Sequence, residues 1–197
     1  MGNIYLVGFM GTGKTAVGRE LAGKKKWKFL NLDDLIEFRE KRTILDIFAE
    51  KGESYFRCIE RQVLKEVAKE KKFVVACGGG IVIDKENIKI MKETGVVVCL
   101  TAAVEVILKR TSGCADRPLL NVSDPGKQIE LLLKLRAPFY ARADFSIDTS
   151  RLSVEEVVKE VTRTLRHKDA SDTVPQRTSP RCSNRKTQVT SKKQRKK

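Results

Sequence analysis

Short apolar runs at residues 4–7, 28–32, 73–76, 96–100 and 145–147 alternate along the chain with stretches in which apolar positions recur three and four residues apart. The helical stretches fall at 16–24, 34–41, 44–51, 54–71, 85–94, 104–110, 127–143 and 154–167. Alternation of this kind predicts parallel βαβ units, with helices covering both faces of one sheet. Thr43 and Ser153 are placed to cap helices. Ser153 also has Glu156 three residues on, a capping box ahead of the apolar face Val154, Val157, Val158 and Val161.

The first strand runs directly into Gly8-Phe9-Met10-Gly11-Thr12-Gly13-Lys14-Thr15. This is the G-x-x-x-x-G-K-[ST] spacing, in which a small-residue loop turns successive backbone N–H groups onto phosphate oxygens at a helix start. A glycine-rich turn matching by accident would have no need of the strand before it or the helix behind it, where Val17 and Leu21 recur. A nucleoside triphosphate site is therefore expected over Gly11, Thr12, Gly13, Lys14, Thr15 and Ala16. Lys14 would reach the β- and γ-phosphates, and the Thr15 hydroxyl would ligate Mg²⁺.

Other candidates lie at the predicted carboxyl ends of later strands, where open parallel sheets place their ligands. Asp33 follows the second strand and is read either as a partner for a substrate hydroxyl or as a helix cap, a role open to Asp34 as well. Gly78-Gly79-Gly80 follows the third and permits close backbone approach to a ligand. Arg57 and Arg136 sit in amphipathic helical segments and carry the fork geometry that grips a carboxylate. Residues 112–124 have no sustained period and many turn formers, which predicts a mobile lid carrying Arg117 toward a transferring phosphoryl group.

Charge changes the picture at one end. The chain carries 40 Lys and Arg against 25 Asp and Glu, a net +15. Residues 168–197 hold ten of those cations and only Asp169 and Asp172, with no aromatic residue, so a basic, disordered tail is expected from about Lys168, after a single domain over 1–167. The body remains moderately basic, which suits a polyanionic substrate such as ATP. Five scattered cysteines without a C-x-x-C pair, together with no apolar stretch of membrane-spanning length, point to a reduced, cytoplasmic setting without a zinc site or a membrane partner.

Several motifs in order resemble the shikimate kinase family: Gly8 to Thr15, Asp33-Asp34-Leu35-Ile36-Glu37, Phe56-Arg57-x-x-Glu60, Gly78-Gly79-Gly80, Arg117-Pro118-Leu119-Leu120 and Arg136-Ala137-Pro138-x-Tyr140. The resemblance runs from about Ile4 to Leu165 and excludes the tail. It implies an α/β three-layer P-loop fold of the nucleoside monophosphate kinase type, with a five-stranded parallel sheet, and phosphorylation of the shikimate 3-hydroxyl by ATP with Mg²⁺ in a monomer. Under it Asp33 binds the acceptor hydroxyls and serves as base, while Arg57 and Arg136 hold the carboxylate. Gly79 and Gly80 make backbone contacts, Arg117 closes over both substrates, and Arg110 lies by the adenine. Two positions depart from the family pattern. Asn31 stands where an aspartate is usual, which predicts weaker metal affinity, and Cys77 stands where a small polar residue is usual. Two other readings are a gluconate kinase-like enzyme, which has no need of this arginine pair, and a nucleotide-binding protein whose basic tail reaches nucleic acid.

Overall fold

The computed structural model describes residues 2–112 and 124–172. Strands β1 (Asn3–Val7), β2 (Lys28–Asn31), β3 (Phe73–Ala76), β4 (Gly95–Thr101) and β5 (Phe145–Asp148) form one sheet in the order β2-β3-β1-β4-β5. All of its pairings are parallel, with Leu6 opposite Ala76 on one side and Val98 on the other. Because side chains alternate across a strand, β1 feeds two cores at once. Ile4 and Leu6 pack with Val17, Leu21, Val158 and Val161 on one face. Tyr5 and Val7 pack with Val63, Met91 and Ile107 on the other.

The helices are α1 (Lys14–Lys25), α2 (Leu32–Glu40), α3 (Ile44–Val67), α4 (Lys85–Thr94), α5 (Val104–Thr111), α6 (Pro125–Tyr140) and α7 (Val154–Asp172). The expected three-layer α/β fold with a five-stranded parallel sheet is what forms. Both expected caps form: the capping box at Ser153 with Glu156 is present, and Thr43, expected only as a cap, makes a box of its own with Asp46. Val154 departs from the expected apolar face of α7 and is 40% exposed.

Several boundaries move for local reasons. The helix after β2 begins at Leu32, and its cap is Asn31, whose side chain accepts from the Asp33 amide at 3.3 Å. Neither Asp33 nor Asp34 is the cap. The stretches 44–51 and 54–71 join into α3, bent at Gly52 (φ 78°, ψ 171°), a backbone conformation that favours glycine. Asp124 caps α6 through the Lys127 amide, and Pro125 occupies its first turn, so this helix starts earlier than its periodicity predicted. At the other end α7 continues past residue 167 to Asp172, with Lys168 Nζ 3.3 Å from Asp144 Oδ1. The rest of the expected tail and the expected lid over 113–123, including Arg117, lie outside the described residues.

Candidate active site

The phosphate loop is shaped by backbone torsions that its sequence permits. Gly8, Gly11 and Gly13 all have positive φ, at 135°, 75° and 94°. At Gly8 a Cβ would lie 2.1 Å from the Leu100 carbonyl oxygen, so the loop passes too close to β4 for any side chain. Thr12 is buried and donates to Phe9 O at 2.8 Å, closing the curl from inside. Helix α1 starts from Gly13 with no side-chain cap and no acidic residue in its first turn. Its leading N–H groups therefore remain available to an anion, reinforced by the helix dipole. Lys14 Nζ sits within this curl, donating to Gly8 O and Phe9 O, both at 2.9 Å. Thr15 and Ala16 are exposed on the first turn.

Behind the loop, a cluster that sequence reading did not find fixes its position. Arg110 donates to Gly11 O at 3.3 Å, to Thr149 Oγ1 at 3.0 Å and to Thr149 O at 2.9 Å. The Thr149 hydroxyl also lies 3.1 Å from Thr12 O and 3.0 Å from Thr101 O. Thr149 follows β5, and no local pattern marks it; only the β4–β5 pairing brings it to the loop.

Across the crevice lies the acceptor side. Asp33 is half-buried in the first turn of α2, and burial raises its pKa despite the opposing charge of Lys14. The glycine triplet lines the floor. A Cβ on Gly78 would lie 2.8 Å from Asp33 Oδ1 and 3.2 Å from Glu60 Oε1. On Gly80 it would lie 2.5 Å from Arg57 Nη2, and on Gly79 3.5 Å from Arg136 Nη1. The absent side chains are therefore space into which two carboxylates and two guanidinium groups converge. Tyr140 donates to Gly79 O at 2.8 Å, and burial pushes its hydroxyl up to about 12, so it stays a neutral donor. The Arg136 guanidinium lies 5.7 Å from the centre of the Phe9 ring, which joins this half of the crevice to the phosphate loop.

Arg57 is held by two carboxylates on its own helix, donating from Nη1 to Glu60 Oε2 at 2.8 Å and from Nη2 to Glu53 Oε1 at 3.0 Å. Glu60 is fully buried, which pushes its carboxyl up to about 7 against the pull of Arg57. The sequence showed Glu60 as part of a motif but gave it no role. Lys14, Asp33, Arg57, Gly79, Gly80 and Arg136 are thus brought to one crevice. Arg110 stands apart on the outer side of the loop, and Arg117 is outside the described residues.

The exposed Thr15 hydroxyl on the first turn of α1 is an oxygen donor of the kind a hard, water-rich cation such as Mg²⁺ takes. Among the described residues no cluster of three or more acidic, His or Cys side chains is placed to hold a metal, so phosphate and water oxygens would supply the remaining ligands. Asn31 is occupied as a cap, its Nδ2 donating to Asp34 Oδ1 at 2.5 Å. Cys77 turns into the core, its thiol 3.8 Å from Val75 O and its pKa raised by burial, so it is an inert packing residue.

A phosphate loop after the first strand of a 2-3-1-4-5 parallel sheet, facing a crevice with a carboxylate and paired arginines, defines a small-molecule P-loop kinase. The shikimate kinase family model matches residues 10–166, and the chain belongs to that family. Shikimate kinases of Thermoanaerobacter pseudethanolicus and Thermodesulfovibrio yellowstonii are 44% and 45% identical over 161 residues, covering 82% of this chain and 94% and 93% of theirs. Among solved structures, shikimate kinase from Acinetobacter baumannii in complex with shikimate matches with a TM-score of 0.81 at 38% identity, over 85% of this chain and 94% of that one. The Aquifex aeolicus shikimate kinase matches with a TM-score of 0.72 at 34% identity, over 85% and 98%.

Proposed function

We propose that this chain transfers the γ-phosphoryl group of ATP to the 3-hydroxyl of shikimate, giving ADP and shikimate 3-phosphate on the route to chorismate and aromatic amino acids. One observation carries the reading: Arg57 over Gly80 and Arg136 beside Gly79 face the same crevice as Asp33, in front of the phosphate loop. That crevice suits an acceptor with one carboxylate and several hydroxyls. The two guanidinium groups take the carboxylate. Asp33 accepts a hydrogen bond from the hydroxyl to be phosphorylated, and its raised pKa makes it a better proton acceptor than an exposed carboxylate.

Phosphoryl transfer through a loose transition state asks mainly for alignment and charge neutralisation. Alignment comes from the fixed arginines and Asp33. The α1 amides and Lys14 neutralise charge, with Lys14 exchanging its two loop carbonyls for phosphate oxygens, and Arg117 is assigned to the transferring group. Arg110 holds the loop on the nucleotide side, consistent with a place by the adenine. Mg²⁺, held by Thr15 together with the phosphates, supplies further charge neutralisation when bound. The buried free thiols of Cys77 and Cys99 suit a reducing cytoplasm, and we assign the protein there as a monomer.

The test is ADP release from ATP and Mg²⁺ with and without shikimate, with the product followed by mass. Shikimate-dependent ADP release and a singly phosphorylated product are expected. ADP release that depends on gluconate and ignores shikimate would overturn the reading.

A further inference from the structure

All five strands run the same way, so the catalytic crevice occupies their carboxyl ends and their amino ends form a second face on the far side of the sheet. Contacts join that face into one surface. The Lys28 amide donates to Lys72 O at 3.1 Å, placing the starts of β2 and β3 side by side. The buried Asn3 side chain donates to Val67 O and Glu70 O at 3.3 and 2.9 Å and accepts from the Phe73 amide at 3.1 Å, tying the end of α3 to β1 and β3. On the other flank, Asp144 Oδ1 lies 3.9 Å from Lys92 Nζ and 3.3 Å from Lys168 Nζ. Its Oδ2 accepts from the Val97 amide at 2.8 Å, which joins the ends of α4 and α7 to β4 and β5.

Charge on this face is lopsided. The α1–β2 connection supplies Lys24, Lys25, Lys26 and Lys28, and the α3–β3 connection Lys69, Lys71 and Lys72. Lys92, Arg166 and Lys168 extend the set; Glu70, Glu93, Asp144 and Asp169 oppose it in these segments, and Lys24 is paired with Glu20 at 3.3 Å. Among the described residues, Lys26, Lys28, Lys69, Lys71 and Lys72 form no ion pair, although all five are exposed. Elsewhere exposed cations are of both kinds: Lys134 lies 2.7 Å from Glu130 and Arg39 2.9 Å from Glu66, whereas among the described residues Lys65, Lys85, Lys89, Lys109 and Lys159 form no ion pair, so it is the clustering of cations that marks this face. An ordinary solvated surface interleaves the two signs, so a cluster of unpaired like charges generates a field that attracts an anion.

Aromatic rings at the strand starts brace three of the ammonium groups. Lys25 lies 5.1 Å from the Trp27 ring centre, Lys28 5.6 Å from Phe73 and Lys168 6.0 Å from Phe145.

We infer that the amino-terminal face of the sheet is a docking surface for the phosphate backbone of a nucleic acid, apart from the catalytic crevice. A polymer of phosphates matches an extended array of unpaired cations better than a single small anion does. Lipid fits less well, because the most exposed large apolar side chains, Phe38 and Leu135, belong to α2 and α6 and not to these connections. The rings of Trp27 and Phe73 are half-buried against the two cores, so the face reads charge and not bases, and binding is indifferent to sequence.

The test uses the full chain and a fluorescein-labelled single-stranded RNA of about 20 nucleotides, followed by anisotropy between about 50 and 200 mM KCl. Binding that weakens steeply with salt is expected. In the K28E/K71E variant we expect RNA affinity about tenfold lower and a log–log salt slope shallower by at least ~1.4, the share of two phosphate contacts on a single strand. Shikimate-dependent ADP release should be unchanged, and K69E/K92E provides an independent pair should the first variant melt early. The inference is overturned if these reversals leave affinity and slope as they were, if the full chain leaves the RNA free at the lowest salt, or if phosphatidylglycerol vesicles capture the protein while RNA does not.

Discussion

Arg57 and Glu60 are joined one helical turn apart, Nη1 to Oε2 at 2.8 Å, with the glutamate side chain fully buried and its other oxygen, Oε1, without a partner. Glu53 holds the opposite edge of the same guanidinium at 3.0 Å. The arginine therefore meets its ligand already oriented, and little side-chain entropy remains to be lost on binding. Glu60 is a positioning residue in this arrangement, acting on the acceptor through Arg57.

Removing that support should appear in acceptor binding before it appears in chemistry. Glu60→Ala leaves Arg57 half-buried with one of its two partners gone, and hydrogen bonds to charged groups are worth about 1.5–3 kcal/mol. We expect the KM for shikimate to rise about 10- to 100-fold, with the KM for ATP nearly unchanged and kcat less affected than KM. Glu60→Gln keeps an acceptor for Nη1 and should recover part of the loss. Equal effects on both substrates in steady-state kinetics would show a general loss of fold instead.

The same residue makes stability depend on pH. Burial raises the folded pKa of Glu60 to about 7 from an ordinary 4.5, with Arg57 pulling it down and Asp33 and Asp84 pushing it up. Between those values the folded state binds more protons than the unfolded state, so the contribution is present at low pH and lost as pH rises through about 7. The full difference amounts to about 3 kcal/mol at most. Asp33, also raised, acts in the same direction. Thermal melts of the wild type and Glu60→Gln from about pH 5.5 to 8.5 should show the variant gaining on the wild type as pH rises. A constant difference across that range would mean that Glu60 does not titrate there.

Gly80→Ala isolates the close approach of Arg57 to the triplet. Gly80 has φ −98°, so alanine costs little in backbone conformation, yet its Cβ would lie 2.5 Å from Arg57 Nη2. The guanidinium must move, and its hold on the acceptor carboxylate should weaken. We expect a rise in the KM for shikimate of about tenfold, on the scale of one charged hydrogen bond, with ATP binding by calorimetry unaltered. Unaltered shikimate binding would place the carboxylate elsewhere.

The fold was legible because the central strands β1, β3 and β4, buried on both faces, stand out as apolar runs, and all five strands, including the partly exposed edges β2 and β5, are found within one residue of their expected positions at each end. The phosphate loop was legible because its torsions require a particular pattern of glycines. Convergence was harder. Arg57 and Arg136 lie on separate helices, and only the glycine triplet between them brings both to one floor. Thr149 and Arg110 meet only through the β4–β5 pairing, which no local pattern encodes. Helix ends failed where neighbours competed: Asn31, Asp33 and Asp34 are all good caps, and the choice falls to Asn31 because the ladder with β3 ends there, opposite Ala76.

That choice bears on the metal. Asn31 Nδ2 donates to Asp34 Oδ1 at 2.5 Å while its Oδ1 caps α2, so the amide satisfies one neighbour with each end. Asn31→Asp would preserve the cap, since aspartate caps as well as asparagine. It would also set a second carboxylate against Asp34, where repulsion at an exposed site costs about 0.5–1 kcal/mol. Without metal, the variant should therefore melt slightly below the wild type. Under the proposed function Mg²⁺ is held at Thr15 and by the phosphates, and a cation whose hydration shell reached residue 31 would relieve this repulsion, so magnesium should raise the melting temperature more in the variant than in the wild type in the presence of ADP. The Mg²⁺ concentration giving half-maximal ADP release should fall in parallel. If magnesium instead shifts both proteins equally, residue 31 does not face the metal, and the asparagine is retained here for its pairing with Asp34 alone.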